Sequence, residues 1–278
     1  MRSVPGIFTA VLSIILLVLL AVTGFLYFEI DTESEASAVV EISGSSSAAP
    51  LLEYMAREYM RDGSRGSIRV NGTGSTDGIR SAIEGVADFG MSSRELTPEE
   101  TAENLTAATI TYDAVAIVVH PDRPVYSLSL EEAADIYRGN GTDEPFGDEP
   151  AVVSREPGSG TRGAFEEALD FAGYLRHGAI ELDGNAAVRA AVARNPAAIG
   201  YISMGFLIPQ VRALTINGVQ PSPETAANGR YPIVRPFLLV YRDSGLTAAA
   251  RRFLDWALSP AGQSTAAGYW TTGGRSYD

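Results

Sequence analysis

The sequence predicts an α/β fold. Stretches of strand character alternate with amphipathic helical stretches along the chain. Several junctions between them are short Ser/Gly-rich turns. Two long apolar strands, residues 109–120 and 232–241, are placed to carry the chain from one lobe to another and back. With 278 residues, 45% of them hydrophobic, the chain can bury one large core or two moderate ones.

The elements follow in order. Residues 38–42 read as the first strand, and Gly44-Ser45-Ser46-Ser47 turns out of it. Pro50, acceptable in the first turn of a helix, opens an amphipathic segment with Leu51, Leu52, Met55, Tyr59 and Met60 near one face. Residues 67–70 form the next strand and lead through Gly72-Thr73-Gly74-Ser75-Thr76-Asp77-Gly78 into a helix over 78–84, with Ile79 and Ile83 inward. Residues 88–91 are a short buried strand ending in Ser92-Ser93-Arg94. The long strand 109–120 precedes a short helix over 130–137 and a Gly/Asp/Glu/Pro-rich surface loop over 140–150. Strand 151–153 runs through Arg155-Glu156-Pro157-Gly158-Ser159-Gly160-Thr161 into a helix carrying Phe165 and Leu169. Residues 186–193 are helical and 199–202 form a strand. The last helix, 246–258, is expected to stop before Ser259-Pro260. No repeat of fixed period is present.

Composition excludes several classes of function. A formal net charge of −13 argues against a nucleic-acid partner, because phosphate backbones are held by clustered cations and no basic run occurs. The absence of cysteine removes disulfides, thiol catalysis, thiolate metal sites and a lipid-modified cysteine anchor. No His/Asp cluster of metal-binding type is present, and no cofactor is expected.

Residues 6–28 carry no charge and, as a helix, would extend about 34 Å, enough to cover a bilayer core. The segment reads as a membrane anchor, with residues 31–37 as an acidic tether. Ala36-Ser37-Ala38 resembles a signal-peptide cleavage site and leaves removal of residues 1–37 open. Arg2 before the segment and acidic residues after it place the globular part on the extracytoplasmic side.

The three Ser/Gly turns carry the chemistry. Glycines admit close approach of the backbone, hydroxyls donate hydrogen bonds, and helix N-termini present unpaired N–H groups with partial positive charge. Three such turns at strand-to-helix junctions, with Arg155 beside the third, suit a tetrahedral oxyanion.

The run Ser154-Arg155-Glu156-Pro157-Gly158-Ser159-Gly160-Thr161-Arg162, with Ala87-Asp88-Phe89-Gly90-Met91-Ser92-Ser93-Arg94 and Gly229-Arg230-Tyr231-Pro232 leading to Arg235-Pro236, resembles the phosphate-binding proteins of ABC-type phosphate importers (PstS-like). These are members of the type II periplasmic-binding-protein superfamily. The resemblance spans roughly residues 38–275. It implies two lobes, residues 38–112 with 233–278 and residues 113–232, joined by two crossing strands. It further implies inorganic phosphate bound between the lobes, permease and ATPase subunits of an importer as partners, and no catalysis. Carried over, Ser45, Ser46 and Ser47 hold the anion from the first loop and Ser75 from the second, while Arg155, Ser159, Gly160 and Thr161 close over it. Ser93 stands where many relatives have an aspartate that accepts the proton of hydrogen phosphate, which weakens discrimination against sulfate. Asp77 either supplies that acceptor or caps the second helix. Arg94 is expected at the rim, paired with Glu95 or Asp88.

Two other readings compete. A serine hydrolase or phosphatase lacks a G-x-S-x-G turn and has only two histidines, His120 and His177, to draw on. A membrane-anchored oxyanion sensor would have to signal through another protein.

Overall fold

The computed structural model describes residues 38–61, 66–140, 146 and 149–271, together with residue 14 and residues 16–23. Residue 14 and residues 16–23 are helical and exposed. Among the described residues no helix is long and apolar enough to cross a membrane. The rest of the predicted anchor, its tether and most of the predicted 140–150 loop lie outside the described residues.

The chain builds β1 (Val39–Gly44), α1 (Ala49–Tyr59), β2 (Ser67–Gly72), α2 (Ser75–Glu84), β3 (Phe89–Ser92), the single turn α3 (Pro98–Thr101), β4 (Thr106–Val119), β5 (Ser127–Leu128), α4 (Leu130–Arg138) and β6 (Ala151–Arg155). It continues with α5 (Gly160–Ala168), β7 (Ile180–Leu182), α6 (Gly184–Arg194), β8 (Ala198–Ser203), β9 (Arg212–Ala213), β10 (Thr215–Ile216), α7 (Pro223–Ala227), β11 (Val234–Tyr241), α8 (Ala248–Leu258) and α9 (Pro260–Thr271).

One curled sheet runs through the molecule in the order β2-β1-β3-β11-β4-β8-β6-β7, with β9 added to β4; β5 and β10 pair separately. β1 is parallel to β2 and β3, and β6 is parallel to β7 and β8. β11 runs antiparallel between β3 and β4. The long β4 is shared. Its residues from Thr106 to Ala114 pair with β11, and those from Val115 to Val119 pair with β8. One strand therefore belongs to two cores, and the sequence expectation of a crossing strand at this place is met.

The first core gathers Val40, Ile42, Leu51, Met55 and Phe89 with Phe237 and Phe253 from the far end of the chain. The second packs Val115, Ile117, Val152, Phe165 and Tyr201 on one face of the sheet. On the opposite face, Ala116, Val118, Val153, Val188 and Ile202 form a further cluster. Alternate residues of β4 thus enter opposite clusters, as the two-residue period of a strand requires. A strand buried on both faces reads as the unbroken apolar run seen in the sequence.

Close approach at glycines sets the depth of α2. A side chain at Gly78 would overlap Gly44 and the Ser43 carbonyl, and one at Gly90 would overlap the Gly78 carbonyl. The helix can therefore lie directly on β1 and β3, and its N-terminus is brought level with the strand ends.

The C-terminus differs from expectation. The helix over 248–258 does stop at Ser259, but Pro260 starts α9, which returns Ala266 and Tyr269 to the first core. Proline is disfavoured inside a helix and favoured at its first position, so Ser259-Pro260 is here both a stop and a start. Ser259 Oγ accepts the Gly262 amide at 3.3 Å, as a helix cap does.

Candidate oxyanion site

The site is assembled where β1, β2, β3 and β6 end. In α/β sheets the loops leaving the carboxyl ends of parallel strands form the ligand crevice. The loop after β1 brings Ser45–Ser47 to the start of α1, and the loop after β2 brings Ser75 to the start of α2. Ser93 follows β3. From the other lobe, β6 ends in Arg155, and Ser159, Gly160 and Thr161 open α5. Ser75, Ser93, Arg155, Ser159 and Thr161 are all buried, although each is polar.

The two groups meet face to face. Arg155 Nη2 donates to Ser46 Oγ at 3.2 Å and its Nη1 to Thr161 Oγ1 at 3.1 Å. Ser47 Oγ and Thr161 Oγ1 lie 2.8 Å apart, and the Thr76 amide donates to the Gly158 carbonyl at 3.2 Å. A methyl group at Gly160 would overlap Ser75 Oγ and come within 2.7 Å of Ser93 Oγ. The N-terminus of α5 is therefore pressed against the hydroxyls of the opposite lobe. The first amides of a helix have no intrahelical acceptor, so this terminus is suited to negative charge.

Ser75 and Ser93 form a donor pair. The Ser93 amide donates to Ser75 Oγ at 3.1 Å, Arg235 Nη1 donates to Ser93 Oγ at 3.2 Å, and the two hydroxyl oxygens are 3.3 Å apart. Each oxygen accepts from a fixed N–H, so their mutual bond uses one hydroxyl proton and leaves the other to offer to a ligand.

Charge is nearly balanced within the site. Arg155 is held by Glu156 through two bonds of 2.7 Å, and Glu156 Oε2 also accepts the Gly184 amide at 3.2 Å. Burial alone raises the Glu156 carboxyl, but the hydrogen bonds and charge of Arg155 override it and hold the group below its ordinary 4.5. Arg235 and Asp113, both fully buried, pair across β11 and β4 at 2.8 and 3.0 Å. Burial pushes Asp113 up and Arg235 down, and their mutual attraction opposes both shifts. Two cations and two carboxylates leave an anion to be held by hydrogen bonds and local dipoles, which fits an acidic protein. Above the buried cluster the cleft opens into a cavity of about 720 Å³ between Gly72–Gly74 and Glu156–Gly158.

The structure sorts the residues singled out by the sequence. Ser46, Ser47, Ser75, Ser93, Arg155, Gly160 and Thr161 come together between the lobes. Ser159 stands at the helix start and its hydroxyl accepts the Arg162 amide at 3.3 Å, a cap. Ser45 Oγ is taken up by the Ser47 and Ala48 amides at 3.2 and 3.3 Å, so it shapes the turn. Asp77 lines the cavity mouth, half exposed and paired with Arg80 at 2.6 Å, and it makes no capping bond to α2. The capping bond expected of Asp77 as one alternative is not made, because its carboxylate is turned to Arg80. Arg94 pairs with Glu100, at 2.7 and 2.8 Å, in place of the expected Glu95 or Asp88 carboxylates. Arg162 is bound to Glu166 and Glu181 and is not available to an anion.

Sequence reasoning missed several supporting residues. Tyr201, stacked on Phe165 with ring centroids 3.9 Å apart, holds Ser154 Oγ at 2.8 Å and the Arg155 amide at 3.2 Å. Asn185, at the start of α6, donates across the cleft to Ser47 Oγ at 2.8 Å. Of the Asp113–Arg235 pair, the sequence offered residue 113 only as the start of the second lobe and Arg235 only as part of a motif. Among the described residues no group of His, Asp and Glu is placed to hold a metal ion.

Two cores sharing a crossing strand, with a buried polar cluster between them at the strand ends, define a two-lobed binding protein. The chain belongs to the PBP superfamily, whose domain it matches over residues 31–261, and within it to the PstS phosphate-binding proteins. It is 32% identical over 242 residues to the phosphate-binding protein PstS of Bacillus subtilis, covering 82% of this chain and 77% of that one. Among solved structures it is similar to a Clostridium perfringens protein described as a phosphate ABC transporter substrate-binding protein with bound phosphate. The TM-score is 0.80 and the identity 39%, covering 84% of this chain and 98% of that one. An ABC-type phosphate transport receptor from Vibrio cholerae superposes with a TM-score of 0.71 at 30% identity, covering 83% and 98%.

Proposed function

We propose that this protein captures inorganic phosphate between its lobes, outside the cell membrane, and delivers it to the permease and ATPase subunits of an ABC-type importer. The observation that carries the reading is the convergence of Ser46, Ser47, Ser75, Ser93, Arg155 and the start of α5 on one enclosed point. The named relatives, described as phosphate-binding proteins, support the choice of ion. Ser45 and Ser159 shape the loops that present those groups, and Asp77 stands at the mouth.

The lobes are residues 38–112 with 233–278 and residues 113–232, and β4 and β11 are the hinge. A ligand touching both lobes stabilises the closed form because only that form offers the full set of contacts. No chemistry is done on the ion. The partners of the site hydroxyls are other hydroxyls, amides and guanidinium groups, and neither histidine is among them. Residues 6–28 tether the protein to the membrane; fractionation of cells with and without residues 1–37 tests this, and a soluble full chain contradicts it.

Equilibrium dialysis with labelled phosphate tests the main reading. Saturable uptake of one ion per chain at micromolar phosphate is expected. Absence of saturable uptake, or turnover of a phosphate ester, contradicts it.

A further inference from the structure

The buried Asn185 belongs to neither the core nor the candidate ligand shell, yet its side chain joins the lobes. It is 1% exposed, at the second position of α6. Its Oδ1 accepts the Ser203 amide at 3.0 Å within its own lobe, which fixes the orientation of the amide group and directs Nδ2 outward. Nδ2 donates to Ser47 Oγ, 2.8 Å away on the opposite lobe.

Two further bonds give this contact its consequence. Ser47 Oγ is 2.8 Å from Thr161 Oγ1, and Thr161 Oγ1 accepts from Arg155 Nη1 at 3.1 Å. Each hydroxyl oxygen thus receives a fixed N–H, Ser47 from Asn185 and Thr161 from Arg155. The bond between them consumes one of their two protons. The other proton must point elsewhere, and the enclosed space between the lobes is where it is of use. Behind Asn185 the chain of bonds continues. Ser203 Oγ donates to Asp113 Oδ1 at 3.0 Å, and Asp113 is paired with Arg235 on the crossing strands.

We propose that Asn185 is a positioning residue that latches the closed lobes and orders the Ser47–Thr161 hydroxyls so that one proton is always presented to the bound anion. This rests on phosphate capture as the function. The latch exists only when the lobes are together. Its loss therefore acts on release of the ion and leaves capture by the open form unchanged.

Asn185→Asp is the discriminating variant. It keeps an oxygen for the Ser203 amide but replaces the donor facing Ser47 with an acceptor, which reverses the ordering. Asn185→Ala removes the latch without adding charge and serves if the aspartate variant does not fold. Both are compared with the wild-type full chain by stopped-flow and equilibrium binding of inorganic phosphate, with thermal midpoints of the ligand-free forms as the check on folding.

The expected result is a dissociation constant raised at least about tenfold, carried by faster release, with the association rate within about twofold of wild type. Adding Asn185→Ala to Ser47→Ala is expected to cost nothing in phosphate affinity beyond Ser47→Ala alone, since the two act through one bond. An unchanged release rate in a folded Asn185 variant, or losses that simply add in the double variant, overturns the proposal while leaving phosphate capture standing. A wild-type chain with no saturable phosphate uptake overturns both.

Discussion

Arg155 is almost wholly buried and reaches Ser46 and Thr161 as well as its own Glu156. A hydrogen bond to a charged group contributes about 1.5–3 kcal/mol, roughly twice a neutral one. Arg155→Met is expected to lower phosphate affinity by about two orders of magnitude or more, read by titration calorimetry; a loss of less than about threefold would mean the guanidinium does not touch the ion. Glu156 gives a test of a different kind. Its folded value lies below the ordinary 4.5, so the stabilisation it contributes is fully present above that pH and is lost as the pH falls through the folded value. Wild type is expected to unfold at a higher temperature than Glu156→Gln at neutral pH, and the gap to close as the pH drops below 4.5. A gap that stays constant into strong acid would place the origin of its stability elsewhere.

At the scale of elements, α5 makes a separable prediction. Alanine is the better helix former by about 1 kcal/mol, so Gly160→Ala is expected to leave the ligand-free protein as stable as before or slightly more so. In the closed form its methyl group would collide with Ser75 and crowd Ser93. Phosphate affinity is therefore expected to fall by at least about a hundredfold while the ligand-free melting temperature holds, which amounts to about 2.7 kcal/mol lost in the closed state alone. An unaltered affinity would show that α5 does not close on the second loop. The crossing strands make another. Arg235→Met leaves the fully buried Asp113 without its cation, and breaking such a pair costs about 3–5 kcal/mol. The double variant Arg235→Met with Asp113→Leu is expected to recover part of that loss in denaturant unfolding. If it loses as much as the sum of the two single changes, the pair is not coupled.

Across the whole molecule, what was legible in the sequence was what is local. The Ser/Gly turns, the apolar runs of β3, β4, β8 and β11 and the alternation of strand with helix each declare themselves within a dozen residues. The start of β4 was placed late, because Thr106, Ala107 and Ala108 are held by pairing with β11 and show no clear apolar alternation. Partnerships made by topology were not legible. Asp113 and Arg235 are 122 positions apart, and Asn185 and Ser47 are 138 apart; nothing near either residue names the other. Side-chain direction was equally hidden. Ser45 and Ser46 are neighbours in one turn, yet one hydroxyl faces its own backbone and the other meets Arg155. Asp77 sits two residues after the buried Ser75 on the same helix and points to solvent.

A crystal structure of the protein grown with phosphate tests the central claim most directly. The account predicts one tetrahedral ion enclosed between the lobes, within hydrogen-bond distance of Arg155, Ser75 and the first amides of α5. An empty cleft at saturating phosphate, or an ion bound on the surface of one lobe alone, would contradict it.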